Sequence, residues 1–156
     1  MNQHTYHTSE EKTEFTSPSQ TSTSAPAVGR PSNAFVAVSW TMLLVGMTSY
    51  FIGLYNAAMA LNEKGYYFSI IMFGLFSVVS VQKSVRDRLE GIPVTDLYYG
   101  ISWFAALLAV TLLTIGLWNA DLSLSEKGFY SMSFLLSMFS AIAVQKNTRD
   151  LKSTAE

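Results

Sequence analysis

Residues 53–65 read GLYNAAMALNEKG and residues 116–128 read GLWNADLSLSEKG, one string stated twice at an offset of 63 (116 minus 53). Outward from it, Trp40 returns as Trp103, Gln82-Lys83 as Gln145-Lys146 and Arg86-Asp87 as Arg149-Asp150, with no insertion or deletion between the copies. Self-similarity at a fixed period marks a duplicated structural unit. Each copy holds an apolar run of helix length, a short polar stretch, a second apolar run and a charged exit.

The first run covers roughly Ala34 to Leu61 and the third Leu97 to Leu124. Both exceed the about 20 residues a helix needs to cross a bilayer. The second (Tyr66 to Val81) and fourth (Phe129 to Val144) are near the lower limit for a span. The polar residues that follow each can extend the helix through the headgroup level, their long side chains reaching water. A soluble bundle would place charges at helical spacing on its outer faces, yet Phe35 to Ala60 contains none. Only 13% of the chain is charged against 49% hydrophobic, where soluble domains carry about a quarter charged residues. These features predict an all-α integral membrane protein with four helices, built from two parallel tandem helical-hairpin repeats. The repeats are expected at residues 34–87 and 97–150, joined by a cytoplasmic loop at 88–96 and followed by a short C-terminal tail at 151–156. Residues 1–33, rich in Ser, Thr, Gln and Pro, bury too little apolar surface to offset their ordering entropy and are expected to form a disordered cytoplasmic tail.

Orientation follows from the cations. Arg30, Lys83, Arg86, Arg88, Lys146, Arg149 and Lys152 lie on one side of a four-span arrangement, with Lys64 and Lys127 on the other. The positive-inside rule then puts both termini and the central loop in the cytoplasm. Repeats with an even number of spans insert in the same sense, related by an axis along the membrane normal. Trp40, Trp103, Tyr55, Trp118, Tyr66, Tyr67 and Tyr130 fall near the span ends, where aromatic belts form.

Three sets of polar or small residues stand out. Gly53, Asn56 and Ala57, and their twins Gly116, Asn119 and Ala120, share a helix face. Such a face lets helices approach closely, and an Asn amide bonding across the interface is worth roughly 0.6–2 kcal/mol in a membrane. A polar path for a solute is the second reading of these residues. In the Glu-Lys-Gly turns, Asn62 and Ser125 are expected helix N-caps, and Glu63 and Glu126 suit the positive first turn. Lys64, Gly65, Lys127 and Gly128 complete those turns. At the exits, Gln82, Lys83, Arg86 and Asp87 recur as Gln145, Lys146, Arg149 and Asp150. They are expected to anchor the cytoplasmic ends, with Lys and Asp four apart pairing on the helix surface.

No catalytic constellation accompanies them. The His residues, His4 and His7, lie in the tail with no Cys or carboxylate at ligand spacing, and there is no Cys anywhere. Phosphate loops, nucleophile elbows and zinc-protease helices are missing as well. No metal or other cofactor is expected, and a net charge of −1 without a basic stripe speaks against nucleic acid.

The strings Gly53-Leu-Tyr-Asn56-Ala57, Leu61-Asn62-Glu63-Lys64-Gly65-Tyr66-Tyr67, Gly74-Leu75-Phe76-Ser77, Val85-Arg86-Asp87 and Glu90-Gly91-Ile92-Pro93 resemble the YiaA/YiaB family of bacterial inner-membrane proteins. Gly116-Leu-Trp-Asn119-Ala120, Ser125-Glu126-Lys127-Gly128-Phe129-Tyr130 and Ala143-Val144-Gln145-Lys146-Asn147 carry the resemblance through the second copy, and it covers about residues 34–150. It implies two copies of a two-helix domain in the inner membrane and no activity; the long tail departs from the short start expected of such members. The expected function is that of a non-enzymatic interaction or envelope-maintenance component. Its expected partners are membrane lipids and a second copy or another membrane protein; a small oligomeric channel or transporter is the alternative.

Overall fold

The computed structural model describes residues 31–153, so the expected disordered tail lies outside the described residues as far as residue 30. Four helices follow in order: α1 (Asn33–Asn56), α2 (Leu61–Leu89), α3 (Asp96–Asn119) and α4 (Leu124–Ser153). At about 1.5 Å per residue even the 24-residue α1 and α3 are long enough for a hydrocarbon core of about 30 Å. All four are long and apolar enough to cross a membrane.

The helix ends differ from the apolar runs for local reasons. Ser32 and Thr95 start α1 and α3, their hydroxyls accepting from the Phe35 and Tyr98 amides at 3.2 and 3.4 Å. The chain turns extended at Ala57 and Ala120, whose N–H groups still donate to Gly53 and Gly116 carbonyls at 2.9 Å. Helix resumes at Leu61 and Leu124, before the Glu-Lys-Gly motifs. Asn62 and Ser125 therefore sit inside the first turn and are not the caps expected of them; Ala60 and Ser123 hold the cap position. At its other end α2 runs through Gln82-Lys83 and Arg86-Asp87 to Leu89. Gly91, with φ 73°, stops it: the Gly91 N–H donates to the Arg88 carbonyl at 3.2 Å and the Ile92 N–H to the Asp87 carbonyl at 2.8 Å, the paired bonds of a Schellman ending.

The hairpins do not each pack upon themselves. Helix α1 lies chiefly against α4, α2 chiefly against α3, and α2 meets α4 at the centre. Within the apolar windows, 17% of α1 and 22% of α3 is buried, against 33% of α2 and 44% of α4, so the second helix of each repeat is the inner one. Small residues make these contacts close. A methyl group on Gly46 would stand 2.7 Å from the Ser137 hydroxyl, and one on Gly74 would stand 2.8 Å from Phe134 Cζ. Lipid offers no hydrophobic drive between helices, so such close fit is what holds them together.

A lipid environment favours polar groups that are satisfied on their own helix. The buried Ser77 and Ser137 hydroxyls donate to the carbonyls of Phe73 and Ser133 at 2.6 and 2.8 Å. A buried bond joins the first helix to the last: Asn147 Nδ2 donates to Ser39 Oγ at 3.0 Å, tying α4 to α1. Tyr67 and Tyr130, expected in an aromatic belt, are instead buried in the core with Tyr50, Ile71 and Phe134. Trp40, Trp103, Tyr55 and Trp118 do face outward.

Gly46→Leu is expected to lower stability by about 1–3 kcal/mol through overpacking against α4. Gly65→Ala, whose added methyl group would meet nothing within 4 Å, should be neutral or slightly stabilising. Thermal unfolding of the two variants in detergent checks the difference.

Candidate functional site: two clefts related by the repeat

The repeated motifs of the two copies meet each other across the bundle. In one cleft, of about 360 Å³, Gly116, Asn119 and Ala120 at the end of α3 face Asn62, Glu63, Tyr66 and Tyr67 at the start of α2. In the other, of about 430 Å³, Gly53, Asn56 and Ala57 at the end of α1 face Ser125, Glu126, Phe129 and Tyr130 at the start of α4. Every one of these residues of the second cleft is the repeat counterpart of one in the first.

Glycine sets the separation of the walls. A methyl group on Gly116 would meet Tyr66 Cε1 at 2.6 Å and the Tyr67 hydroxyl oxygen at 3.2 Å; one on Gly53 would meet Phe129 Cε1 at 2.7 Å. The Tyr66 hydroxyl then donates to the Leu112 carbonyl at 2.8 Å, fastening α2 to α3. The Asn residues act differently from the expectation. Asn56 Nδ2 donates to the Ile52 carbonyl at 2.9 Å and Asn119 Nδ2 to the Ile115 carbonyl at 2.8 Å, each on its own helix. They line separate clefts and form no bridge between repeats.

The Glu-Lys pairs organise the helix ends. One Glu63 oxygen accepts from the Ala60 N–H at 2.8 Å, and Glu126 accepts from the Ser123 N–H and hydroxyl at 2.8 and 2.7 Å. Each carboxylate thereby closes a free amide at a positive helix start. Lys64 Nζ donates to the Tyr55 carbonyl at 2.9 Å and Lys127 Nζ to the Trp118 carbonyl at 3.4 Å. Each lysine so neutralises the carbonyl-rich end of the preceding helix. A methyl group on Gly65 or Gly128 would meet nothing within 4 Å, so no close approach explains either glycine.

Between the clefts the centre is closed. The rings of Tyr67 and Tyr130 stack at 5.9 Å, and Tyr50 meets Tyr130 edge-on at 5.4 Å. Tyr50 donates to the Tyr67 carbonyl at 3.0 Å, whereas the buried Tyr130 hydroxyl has no partner among the described residues.

The opposite, charged end is a second cluster. Asp87 is nearly buried and takes Lys83 at 3.1 Å and Arg86 at 2.8 Å. Arg149 pairs with Glu90, joining the repeats there. Arg88 pairs with Asp96 and lies 4.0 Å from the centroid of the Tyr99 ring. Lys146, Asp150 and Gln82 line a groove beside Arg86 and Arg149, and the Gln82 and Gln145 Oε1 atoms are buried without hydrogen-bond partners among the described residues. Asp121 and Ser39 were not singled out by the sequence, and Glu90 and Asn147 entered only as members of the family strings, with no site role. The one available signal was departure from the repeat: Asp121 stands where the first copy has Ala58, and Asn147 where it has Ser84. Among the described residues no group of three or more His, Cys, Asp or Glu could hold a metal ion.

Residues 35–87 and 98–150 each match the yiaA/B two helix domain. The chain belongs to this family. It is 56% identical over 119 residues to the inner membrane protein YiaA of Escherichia coli (strain K12), covering 76% of this chain and 82% of that one. It is 28% identical over 105 residues to the inner membrane protein YiaB of the same organism, covering 65% and 87%. The uncharacterized membrane protein YubF of Bacillus subtilis (strain 168) is 36% identical over 58 residues, 36% of this chain and 67% of that one. No solved structure matches the chain. With inner-membrane relatives and four spanning helices, this is an integral membrane protein. Each family match covers one hairpin, α1–α2 or α3–α4, yet each hairpin's first helix packs chiefly on the other's second.

Glu126→Ala is expected to fray the start of α4, costing about 0.5–2 kcal/mol. Glu126→Gln keeps an acceptor for the Ser123 N–H and should stay near the parent. Amide hydrogen exchange across residues 123–127 distinguishes the two.

Proposed function

We propose that the protein is a non-enzymatic component of the inner membrane that works through contacts with lipids and with membrane proteins, a second copy included, in interaction or envelope maintenance. The observation that carries this reading is the closed centre. The Tyr67–Tyr130 stack, with Ile71 and Phe134 fully buried beside it, fills the middle of the bundle between the two clefts. The outer helices offer broad apolar faces, Leu44 on α1 and Phe104 and Leu107 on α3 each standing more than half exposed. Both termini and the Arg86–Arg149 end lie in the cytoplasm in this proposal, on the strength of the Lys and Arg bias. Reporters fused after Asp150 and near Glu63 should therefore mark opposite faces of the membrane.

A small oligomeric channel or transporter is the second reading. Paired clefts that present Glu63 and Glu126 together with Asn119 and Asn56 favour it, and its path would run between chains. Native purification with mass spectrometry of bound proteins and lipids is expected to return a specific membrane partner or a defined oligomer. Solute flux into proteoliposomes that is lost on Glu63→Gln with Glu126→Gln would replace the first reading by the second.

A further inference from the structure

The two clefts have the same plan but not the same charge. We propose that the α2–α3 cleft binds a primary organic ammonium group, held by the carboxylates of Glu63 and Asp121 beside the rings of Tyr66 and Tyr67.

The charged groups lining this cleft are both carboxylates, set among two tyrosines, two asparagines and small or apolar residues, and no lysine or arginine lines it. Lys64, next to Glu63 in sequence, is turned to the Tyr55 carbonyl. Glu63 uses one oxygen on the Ala60 N–H, and Asp121 lies in the extended connection just after α3. Asn119 gives its amide N–H to Ile115, which leaves its side-chain carbonyl for the cleft. The carbonyl end of α3, the negative end of its dipole, adds to the same potential. A second feature points to a ligand. Tyr67 is only 3% exposed, its hydroxyl reaches the cleft wall at Gly116, and no described residue accepts a hydrogen bond from it. The hydroxyl of its counterpart Tyr130, in the other cleft, is buried and has no partner among the described residues.

Size and donor set select the ligand class. About 360 Å³ is large for a bare ion, and two carboxylates fall short of the six to eight oxygens that calcium takes. Tyrosine rings beside carboxylates suit an organic cation, which gains from both charge and the aromatic quadrupole. The α1–α4 cleft serves as an internal comparison: it has Phe129 for Tyr66, Ser125 for Asn62, and Glu126 as its one carboxylate, already bound to Ser123.

An ammonium group could arrive on a soluble amine or on the headgroup of an ethanolamine phospholipid, since the cleft opens where the helices end. The full chain, purified in detergent, is titrated by calorimetry with n-butylammonium chloride and with uncharged n-butanol. In parallel, native mass spectrometry compares retention of phosphatidylethanolamine and phosphatidylglycerol. Binding is expected for the ammonium compound over its uncharged partner, weaker by about tenfold in each of Glu63→Gln and Asp121→Asn. Glu63→Gln still accepts from the Ala60 N–H and Asp121 lies outside the helices, so both variants should melt near the parent. Tyr67→Phe should also weaken binding. Binding of the free amine assigns a soluble ligand; selective retention of phosphatidylethanolamine alone, lost in the same variants, assigns the lipid. The proposal is overturned if neither binds, if n-butanol binds equally, or if Asp96→Asn at the far end of α3 weakens binding as much.

Discussion

At Gly116 the backbone of α3 lies so near the ring of Tyr66 that a methyl group there would sit 2.6 Å from a ring carbon, and Gly53 stands in the same relation to Phe129. In both places the small residue belongs to one repeat and the ring to the other. Helices in lipid gain nothing from hiding apolar surface, because the solvent is itself apolar; they gain from dense contact. A glycine that admits a ring from the opposite repeat therefore decides which helices become neighbours. The interleaved order follows, with α1 on α4 and α2 on α3, and so does the facing of the two halves of each cleft.

Away from these contacts the bundle is governed by what its backbone can bond to. No water reaches the middle of a span, so the Ser77 and Ser137 hydroxyls turn back onto their own helices, and the Asn147 to Ser39 bond that spans the repeats is buried. At the ends, Glu63 and Glu126 close amides while Lys64 and Lys127 close carbonyls of the helix before. The glutamate and the lysine are adjacent in sequence but serve opposite ends of consecutive helices. At the other end, the Arg149–Glu90 pair links the repeats where the glycine contacts are absent.

The duplication is not symmetrical in its polar chemistry. Tyr50 answers to Leu113, Asn147 to Ser84 and Asp121 to Ala58. Each departure changes what a buried or cleft position can bond. Copies that share packing can thus differ in binding, which makes the departures more informative about function than the matches.

The sequence by itself determined the helices, their number and their repetition. Apolar length against bilayer thickness and the absence of charge from Phe35 to Ala60 need only local information. Its local failures, carrying the first and third runs to Leu61 and Leu124 and taking Asn62 and Ser125 for caps, arose because helix ends depend on short stretches of extended backbone, from Ala57 and from Ala120, that composition does not announce. The tertiary structure alone decided who packs on whom. Glycine faces, tyrosines near span ends and asparagines in apolar runs fit either lipid, a hairpin partner or the other repeat. Helix periodicity names a face but not the surface opposite it, so the burial of Tyr67 and Tyr130, the bonding of Asn56 and Asn119 to their own helices, and the presence of Asp121 and Glu63 in one cleft became visible only once the four helices were set side by side.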